Sequence, residues 1–362
     1  MAPDVNPTPA EPASAAGEGQ PAHAGPRRTQ ALLRWESGLA LAVVFVVLFG
    51  YASSSQFLTQ HNFFYLCLNV GEVALMALPM TLIVITGEID LSVASTLGMA
   101  SALLGDLWTH GWPMPLIIVT VLATGAVAGA FNGLLVTKFG LPSLAVTIGT
   151  LTLYRGIAVI ILGPSTISNF PARYTDIGIN AIPHTGFVSY SVGFFVVLAI
   201  LFGLALHVTP FGRTLYAMGL NKDAALYAGI RVKRTKTLLF IVSGVVCSLA
   251  GILWTFRLAT AVNDNGLGLE LNVVAVVLLG GVSIFGGKGS IIGVVLALLV
   301  FASLQNALFL TNFDQRALGI VTGALLLMSV LIPNVGSFAR RGRELLRQRS
   351  RRSRALAESL QP

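Results

Sequence analysis

The sequence predicts an all-α fold, a polytopic bundle of about ten transmembrane helices, on three observations. First, 54% of the 362 residues are hydrophobic. Second, only 10% are charged, whereas soluble domains carry about 25% charged residues. Third, apolar runs recur along the chain at close to the length of about 20 residues that a helix needs to cross a bilayer. Both cysteines, Cys67 and Cys247, lie inside such runs, which favours buried thiols over a disulfide.

Ten apolar runs are predicted to span the membrane. In chain order they cover residues 37–53, 63–86, 90–108, 114–136, 142–162, 187–208, 236–259, 268–285, 290–310 and 316–333. The runs at 90–108 and 268–285 are short and contain polar residues. An even number of spans places both termini on the same side of the membrane.

The basic residues predict the orientation. With both termini in the cytoplasm, all but four of the 23 Lys and Arg residues fall on the cytoplasmic side or at its helix ends, as the positive-inside rule requires. The exceptions are Arg155, Arg173, Arg257 and Arg316. The basic residues therefore lie where anionic lipids of the inner leaflet would be, so the net charge of +8 indicates contact with membrane lipid and no nucleic acid partner.

Composition also predicts the domain organisation. Residues 1–30 are rich in Pro, Ala and Gly, with almost no large apolar side chains, which predicts a disordered cytoplasmic tail. Residues 31–335 form the predicted membrane domain. Residues 336–362 form a basic cytoplasmic tail, expected to lie as a helix on the membrane surface. Within the membrane domain, the spacing Gly125–Gly129–Gly133 is typical of helices that pack closely in lipid.

The stretch "TGEIDLSVAS" at 86–95 places two acids next to a predicted span. If this turn lies at the cytoplasmic surface, Glu88 and Asp90 are solvated and Asp90 caps the next helix. If it re-enters the membrane, it must line a protein-packed or watery cavity. Both alternatives are compatible with the sequence. No nucleophile, metal cluster or second base lies nearby in the sequence to suggest catalysis.

Several polar side chains fall inside the predicted spans. They are Asn69, Glu72, Asn132, Glu270, Asn272, Gln305 and Asn306. Such residues face either a solute path or a neighbouring helix with which they form hydrogen bonds, and the sequence favours neither. The candidate solute path comprises Asn69, Glu72, Asn132, Glu270 and Asn306. Neither glutamate has an obvious basic partner at a matching depth, and the five histidines lack metal-ligand spacing.

The loop at 209–235 contains a predicted short helix, "LNKDAALYAGI". Asn221 suits the N-cap, Asp223 suits the positive N-terminal end, and Gly229 suits the C-terminal stop. The small residues Ala224 and Ala225 lie in its middle, so the helix could lie in the groove of a partner protein. A plain connecting helix is the alternative.

The glycine-rich stretch "GGVSIFGGKGSIIG" at 280–293 is close to a phosphate-binding loop but does not match one. With Lys288 as the lysine, the pattern requires a glycine where Val282 stands and a hydroxyl where Gly289 stands. We therefore predict a tight turn between two membrane helices, with Lys288 on the cytoplasmic side.

Three segments resemble one family, the permease subunits of ATP-binding cassette importers of the ribose type, in the superfamily of monosaccharide and branched-chain amino acid permeases. "GLNKDAALYAGIRVKRTK" resembles the segment that couples such permeases to the ATPase, and "TGEIDLSVAS", with Gly87, Asp90 and Ser92, resembles their signature turn. The family has glycines where this chain has Glu88 and Ala94. "GLGLELNVVAVVLLGGVSIFGGKGSIIG" resembles their glycine-rich block, and the resemblance covers about residues 37–335.

The resemblance implies a bacterial plasma-membrane protein without catalytic residues or a cofactor of its own. A separate ATPase subunit would bind ATP and contact the coupling residues Asn221, Asp223, Ala224, Ala225 and Gly229. A second permease copy or a paralogue and an extracytoplasmic solute-binding protein would complete an importer that moves a sugar-like solute by alternating access. Trp-Glu at 35–36 and Leu-Pro-Met-Thr at 78–81 resemble the rhamnose or autoinducer-2 branch.

A self-contained secondary transporter or channel is the alternative. It requires an intramembrane charge relay for ion coupling, and it leaves the coupling-like loop at 209–235 unexplained. A membrane-bound enzyme is less consistent with the sequence, because no catalytic cluster is evident.

Overall fold

The computed structural model describes residues 28–311, 313, 319–328 and 331, with side chains from residue 35 onward. The predicted tails at 1–30 and 336–362 lie largely or wholly outside the described residues, as does part of the predicted span at 316–333. The helices are α1 Arg28–Ser53, α2 Gln60–Ile85, α3 Val93–Thr109, α4 Met114–Thr137, α5 Ser143–Leu162, α6 Ala172–Ile179, α7 Tyr190–His207, α8 Pro210–Leu220, α9 Lys222–Tyr227, α10 Val232–Leu258, α11 Leu269–Leu279, α12 Ile291–Leu310 and α13 Gly319–Met328.

The helical membrane architecture agrees with the sequence prediction, but the number of full-length spans is smaller. In the part of the chain that the structure describes, seven helices are long and apolar enough to cross a membrane: α1, α2, α4, α5, α7, α10 and α12. The helices found within 90–108 and 268–285 are shorter, and only Gly319–Met328 and residue 331 of the predicted span at 316–333 are described as helical. The helix within 268–285 ends at Leu279, because the chain turns at Gly280 and Gly281, where Gly281 adopts a φ of 82°.

The core of the bundle is α2, which is buried over most of its length from Gly71 to Ile85. Helix α10 packs along α2, α3 and α4, while α12 packs against α1 and α2. By contrast, α7 exposes much of its apolar surface, including Val197, Ile200 and Leu201. An apolar helix with an exposed apolar face is typical of contact with lipid, which fits the membrane location.

The glycine stripe of α4 packs directly against α10. A Cβ at Gly129 would lie 2.1 Å from the carbonyl oxygen of Phe240, and one at Gly125 would lie 2.4 Å from that of Gly244. At Gly133 the closest atom would be the Cα of Thr237, at 2.9 Å. The predicted close packing is confirmed, since only glycine lets the two backbones approach to these distances.

The loop at 163–186 contains α6, a helix that the sequence did not predict. Gly178 of α6 rests on the backbone of Phe256 and Arg257 near the end of α10. The loop is also joined to the 260–268 segment, because Ile167 and Ala261 exchange two backbone hydrogen bonds of 3.0 and 2.8 Å. The end of α10 is thus covered by structured chain.

Candidate functional site

The predicted short helix in the 209–235 loop is confirmed as α9. Asn221 is its N-cap, and its Oδ1 accepts hydrogen bonds from the backbone N–H groups of Asp223 and Ala224, both at 3.0 Å. Gly229 follows the end of the helix with a φ of 80°, the left-handed conformation that favours glycine at a helix stop. The stop and cap residues therefore act as the sequence indicates.

The predicted role of Ala225 in partner contact is corrected by its burial. Ala225 is 3% exposed and packs into the core of this chain, so its methyl group is unavailable to another protein. The exposed side of α9 instead carries Ala224, Tyr227 and the following Ala228, with Tyr227 93% exposed. On so short a helix, one side anchors to the bundle and the other is presented outward.

The glycine-rich turn at 283–289 packs beneath α8, at the same end of the bundle as α9. Gly286 and Gly287 have φ values of 78° and 71°, and the backbone N–H of Gly287 donates to the carbonyl of Ile85 at 2.8 Å. A Cβ at Gly219 of α8 would lie 1.9 Å from that same carbonyl oxygen. The predicted tight turn is confirmed, and it joins α8 to the end of α2.

The segment at 86–92 runs from exposed Gly87 into the protein, where Asp90 and Ser92 are buried. Asp90 is 3% exposed. Its Oδ1 accepts from the backbone N–H of Ser92 at 3.0 Å and from Ser92 Oγ at 2.6 Å, and its Oδ2 accepts from Ser243 Oγ at 2.9 Å. Ser92, not Asp90, occupies the N-cap position of α3. Of the two alternatives for this turn, the solvated Asp90 that caps α3 is wrong, because Asp90 is buried and packed by protein groups.

The position of Ser243 shows where Asp90 lies along α10. Ser243 lies eleven residues after the first residue of α10, Val232. At about 1.5 Å per residue, this places Asp90 about 16 Å along α10. Irregular backbone beside buried residues must be satisfied largely by protein groups. Ser143 Oγ accepts from the Ile89 N–H at 3.1 Å, and Thr147 Oγ1 donates to the Ile89 carbonyl at 3.3 Å.

Asn132 belongs to the same buried network. Its Nδ2 donates to Ser92 Oγ at 2.8 Å, and its Oδ1 accepts from the hydroxyl of Tyr154 at 3.2 Å. The same hydroxyl lies 2.8 Å from the Ala128 carbonyl oxygen, so its one proton is shared between the two acceptors. These bonds link the 86–92 segment to α4 and α5. The sequence did not single out Tyr154, because a tyrosine in an apolar run carries no distinguishing pattern.

Glu88 forms a mostly buried ion pair with Lys236 of α10. The ammonium group donates to Glu88 Oε1, and the exposed fractions of the two side chains are 6% for Lys236 and 18% for Glu88. The charge of Glu88 is therefore balanced by Lys236, which lies on the neighbouring helix α10. Lys236 was predicted only as one of the basic residues of the cytoplasmic side.

The expectation that Glu72 has no basic partner is wrong. Glu72 is fully buried, and its Oε1 accepts from Arg257 Nε at 3.1 Å and from Ser191 Oγ at 3.4 Å. Arg257 Nη1 also donates to Asn69 Oδ1 at 3.2 Å. Two of the predicted path residues, Asn69 and Glu72, thus meet at one arginine. The sequence placed Arg257 at an outer helix end. It gave no sign that the long side chain extends from there to Glu72 and Asn69.

The other predicted path residues do not join this cluster through any described contact. Asn306 exchanges two amide hydrogen bonds with Asn62, at 2.8 and 3.0 Å, and so ties α12 to α2. Glu270 lies in the first turn of α11, and its charge acts on Arg155. Asn272 and Gln305 line a separate groove of about 340 Å³ between α11, α12 and α13.

Comparisons with known proteins agree with this architecture. The family model described as "Branched-chain amino acid transport system / permease component" matches residues 62–330. The chain is 34% identical to the autoinducer 2 import system permease protein LsrC of Salmonella choleraesuis over 299 residues, covering 82% of this chain and 84% of the relative. It is 31% identical to LsrD of Escherichia coli O9:H4 over 326 residues, covering 87% and 97%. No solved structure gave a significant match.

Proposed function

This chain belongs to the family of membrane permease components that its sequence matches, and we propose that it imports autoinducer-2 or a similar small sugar-like solute. In this proposal it is the membrane subunit of an ATP-binding cassette importer. ATP binds to and is hydrolysed by a separate subunit, and a solute-binding protein delivers the solute from outside. A second copy of this chain or a paralogue completes the membrane portion.

The observation that carries the coupling part of the proposal is the geometry of α9. This helix is capped at both ends and anchored by buried Ala225, and it presents Ala224, Tyr227 and Ala228 outward. Small residues let a helix sit deep in a groove, and an exposed tyrosine beside them supplies a contact of the kind that dominates many interfaces. We assign this face to the ATPase.

The coupling route from α9 leads into the bundle through direct contacts. Helix α8 precedes α9 and packs by Gly219 against Ile85 and the turn at Gly287. Ile85 ends α2, which carries Glu72 at its centre. A displacement of α9 by the ATPase would therefore be transmitted to α2 through packed backbone. The contacts from α9 through α8 to α2 are thus a physical link by which nucleotide-driven movement of the ATPase could open or close a solute path.

The relatives' printed names support the choice of solute, since they are import permeases for autoinducer 2. We infer that the solute path passes Asn69 and Glu72, where polar side chains converge within apolar helices. Asn132, Glu270 and Asn306 remain candidates for the same path. Asn132 and Asn306 already form hydrogen bonds between helices, which supports a packing role for these two.

The coupling proposal is tested by Ala224→Glu. The added carboxylate should keep α9 out of the ATPase groove without touching the core, because Ala224 is exposed. We expect normal membrane insertion, with loss of ATPase co-purification and of ATP-driven uptake together. Ala172→Glu is the matched control, since Ala172 is also exposed on a short helix but lies in the 163–186 loop.

Full ATPase binding and uptake by Ala224→Glu would exclude this face of α9 from coupling. Uptake by the purified chain alone, driven by an ion gradient without ATP, would support the secondary transporter instead. That measurement is needed because Glu72 does have a basic partner, so the sequence argument against a charge relay no longer holds.

A further inference from the structure

We propose that Glu72, Trp254 and Arg257 form a binding site for a neutral polyhydroxylated solute, with Asn69 at its rim. The inference rests on the proposed function, because it assigns specific atoms to the solute that such a permease would carry. It adds two residues of α10, Trp254 and Arg257, that sequence patterns do not indicate.

Two helices contribute the site, each through a pair of side chains three residues apart. Asn69 and Glu72 lie on α2, and Trp254 and Arg257 lie on α10. Residues at this spacing share one face of a helix. Arg257 bridges the two faces through its bonds to Glu72 and Asn69, and its guanidinium carbon lies 4.7 Å from the centroid of the Trp254 ring, within cation–π distance.

Two buried polar atoms of this cluster have no hydrogen-bond partner among the described residues. They are Glu72 Oε2, an acceptor, and Trp254 Nε1, a donor. An ionised carboxylate has about four acceptor positions, and here all protein donors reach Oε1. Most buried polar groups in proteins are paired. An unpaired acceptor and an unpaired donor beside the same guanidinium suit a ligand that both donates and accepts.

The charges of the site define the ligand class. A cation would be repelled by Arg257, and an anion would be repelled by Glu72. A hydroxyl group is neutral, donates its proton to a carboxylate oxygen and accepts from an indole N–H. The Trp254 ring adds an apolar face for the C–H groups of a sugar-like molecule. A branched-chain amino acid is the competing ligand, because its ammonium group can pair with Glu72 and its carboxylate with Arg257, while its apolar side chain offers no partner to the Trp254 N–H.

The site lies at the centre of α2 and at the C-terminal end of α10. Glu72 is twelve residues from Gln60 and thirteen from Ile85, the two ends of α2, which places it about 18–20 Å from each. Asn69 is exposed and lies one turn nearer Gln60, away from the α8 contact at Ile85. Solute would therefore enter past Asn69, from the end opposite α9. Admission to Glu72 requires α2 and α10 to part, a movement that alternating access supplies.

The test is direct binding of radiolabelled D-ribose, L-rhamnose, autoinducer-2 and L-leucine to the full-length chain in lipid nanodiscs. Trp254→Phe keeps an aromatic ring beside Arg257 and removes only the N–H donor. Glu72→Gln keeps an oxygen for Arg257 and replaces the unpaired acceptor. We expect one or more polyols to bind saturably. Glu72→Gln should weaken that binding by about tenfold or more, since hydrogen bonds to charged groups contribute about 1.5–3 kcal/mol, and Trp254→Phe by about two- to tenfold, since hydrogen bonds between neutral groups contribute about 0.5–1.5 kcal/mol.

Trp112→Phe is the matched control, because Trp112 is 40% exposed in the turn between α3 and α4, and it should bind like wild type. Thermal unfolding of each variant shows whether the fold is intact. The proposed site would be overturned by any of three results. These are no saturable binding of any polyol, unchanged polyol binding by Trp254→Phe, and saturable binding of leucine alone.

ATP-driven uptake by the wild-type chain, reconstituted with its ATPase and binding protein, separates the two proposals. If no polyol is imported, the proposed function fails. If a polyol is imported equally well by wild type and by Trp254→Phe, the function stands and only this site fails.

Discussion

At the residue scale, the molecule keeps buried charges in pairs whose members are far apart in sequence. Glu72 meets Arg257, 185 residues away, and Glu88 meets Lys236, 148 residues away. An unpaired charge in an apolar interior is costly, so each pair ties α10 to the α2 region. The acids were recognisable from sequence as unusual. Their partners were not, because spacing along the chain carries no information on contacts between distant helices.

The Lys236–Glu88 pair gives a stability prediction. Lys236→Met should destabilise the chain by about 3 kcal/mol, the low end expected for a broken buried pair, because the Glu88 side chain keeps 18% exposure. The double variant Lys236→Met with Glu88→Gln should recover most of this loss, since no unpaired charge remains. Thermal unfolding in detergent measures both. A double variant as unstable as the single one would show that the aliphatic packing of Lys236, not its charge, stabilises this region.

At the element scale, the close packing of α4 against α10 is a helix contact that a sequence pattern predicts. The contacts run along the stripe of Gly125, Gly129 and Gly133. Local patterns of this kind are readable in advance because they belong to one helix. The same is true of α9, whose Asn221 cap and Gly229 stop have the expected geometry. The face that α9 turns inward was not predictable, since a helix of six residues has too few turns for a periodic pattern.

Gly129→Ala tests the α4–α10 contact. The new methyl group would lie 2.1 Å from the Phe240 carbonyl oxygen, so the helices must separate, at a cost of about 1–3 kcal/mol for overpacking. Gly149→Ala in α5 is the control, because nothing lies within 4 Å of its added Cβ and alanine favours the helix. We expect a lower unfolding temperature for Gly129→Ala alone. Equal stability of the two variants would mean that α4 and α10 are less closely packed than the structure has them.

At the scale of the whole molecule, the orientation in the membrane is the property on which the proposed function depends. The basic residues predict that α8, α9 and both termini face the cytoplasm, while α6 faces outside. Cys67 and Cys247 are both buried, so they leave a low background for labelling of introduced cysteines.

Single cysteines at Lys222 in α9 and Asp176 in α6 test this orientation. A membrane-impermeant thiol reagent should label Asp176→Cys in intact cells. Lys222→Cys should react only after the membrane is opened. The reverse pattern would invert the chain, place α9 outside and remove the basis for ATPase coupling. Labelling of both sites in intact cells would mean that the 209–235 loop lies outside the cell and not in the cytoplasm as predicted.

Composition and short sequence patterns were enough to predict the membrane class of the fold, the approximate position of the helices, the glycine stripe, the capped α9 and the family. These properties depend on composition and on neighbours within a few residues, where hydrophobicity, caps and turn residues act locally. The short helices at 90–108 and 268–285 were also recognisable as weaker spans, since polar and glycine residues interrupt them.

The partners of Glu72, Glu88 and Asp90, the inward face of Ala225 and the burial of Asp90 became known only from the packing of the helices. Asp90 illustrates the reason. From its neighbours alone, a surface cap and a buried turn were both compatible, because both place a carboxylate before a helix. The choice came from Ser243 on a helix 153 residues away, and from Ser143 and Thr147, which satisfy the backbone of the segment. Hydrogen-bond satisfaction at depth depends on which helices meet, and that is set by the packing of the whole bundle.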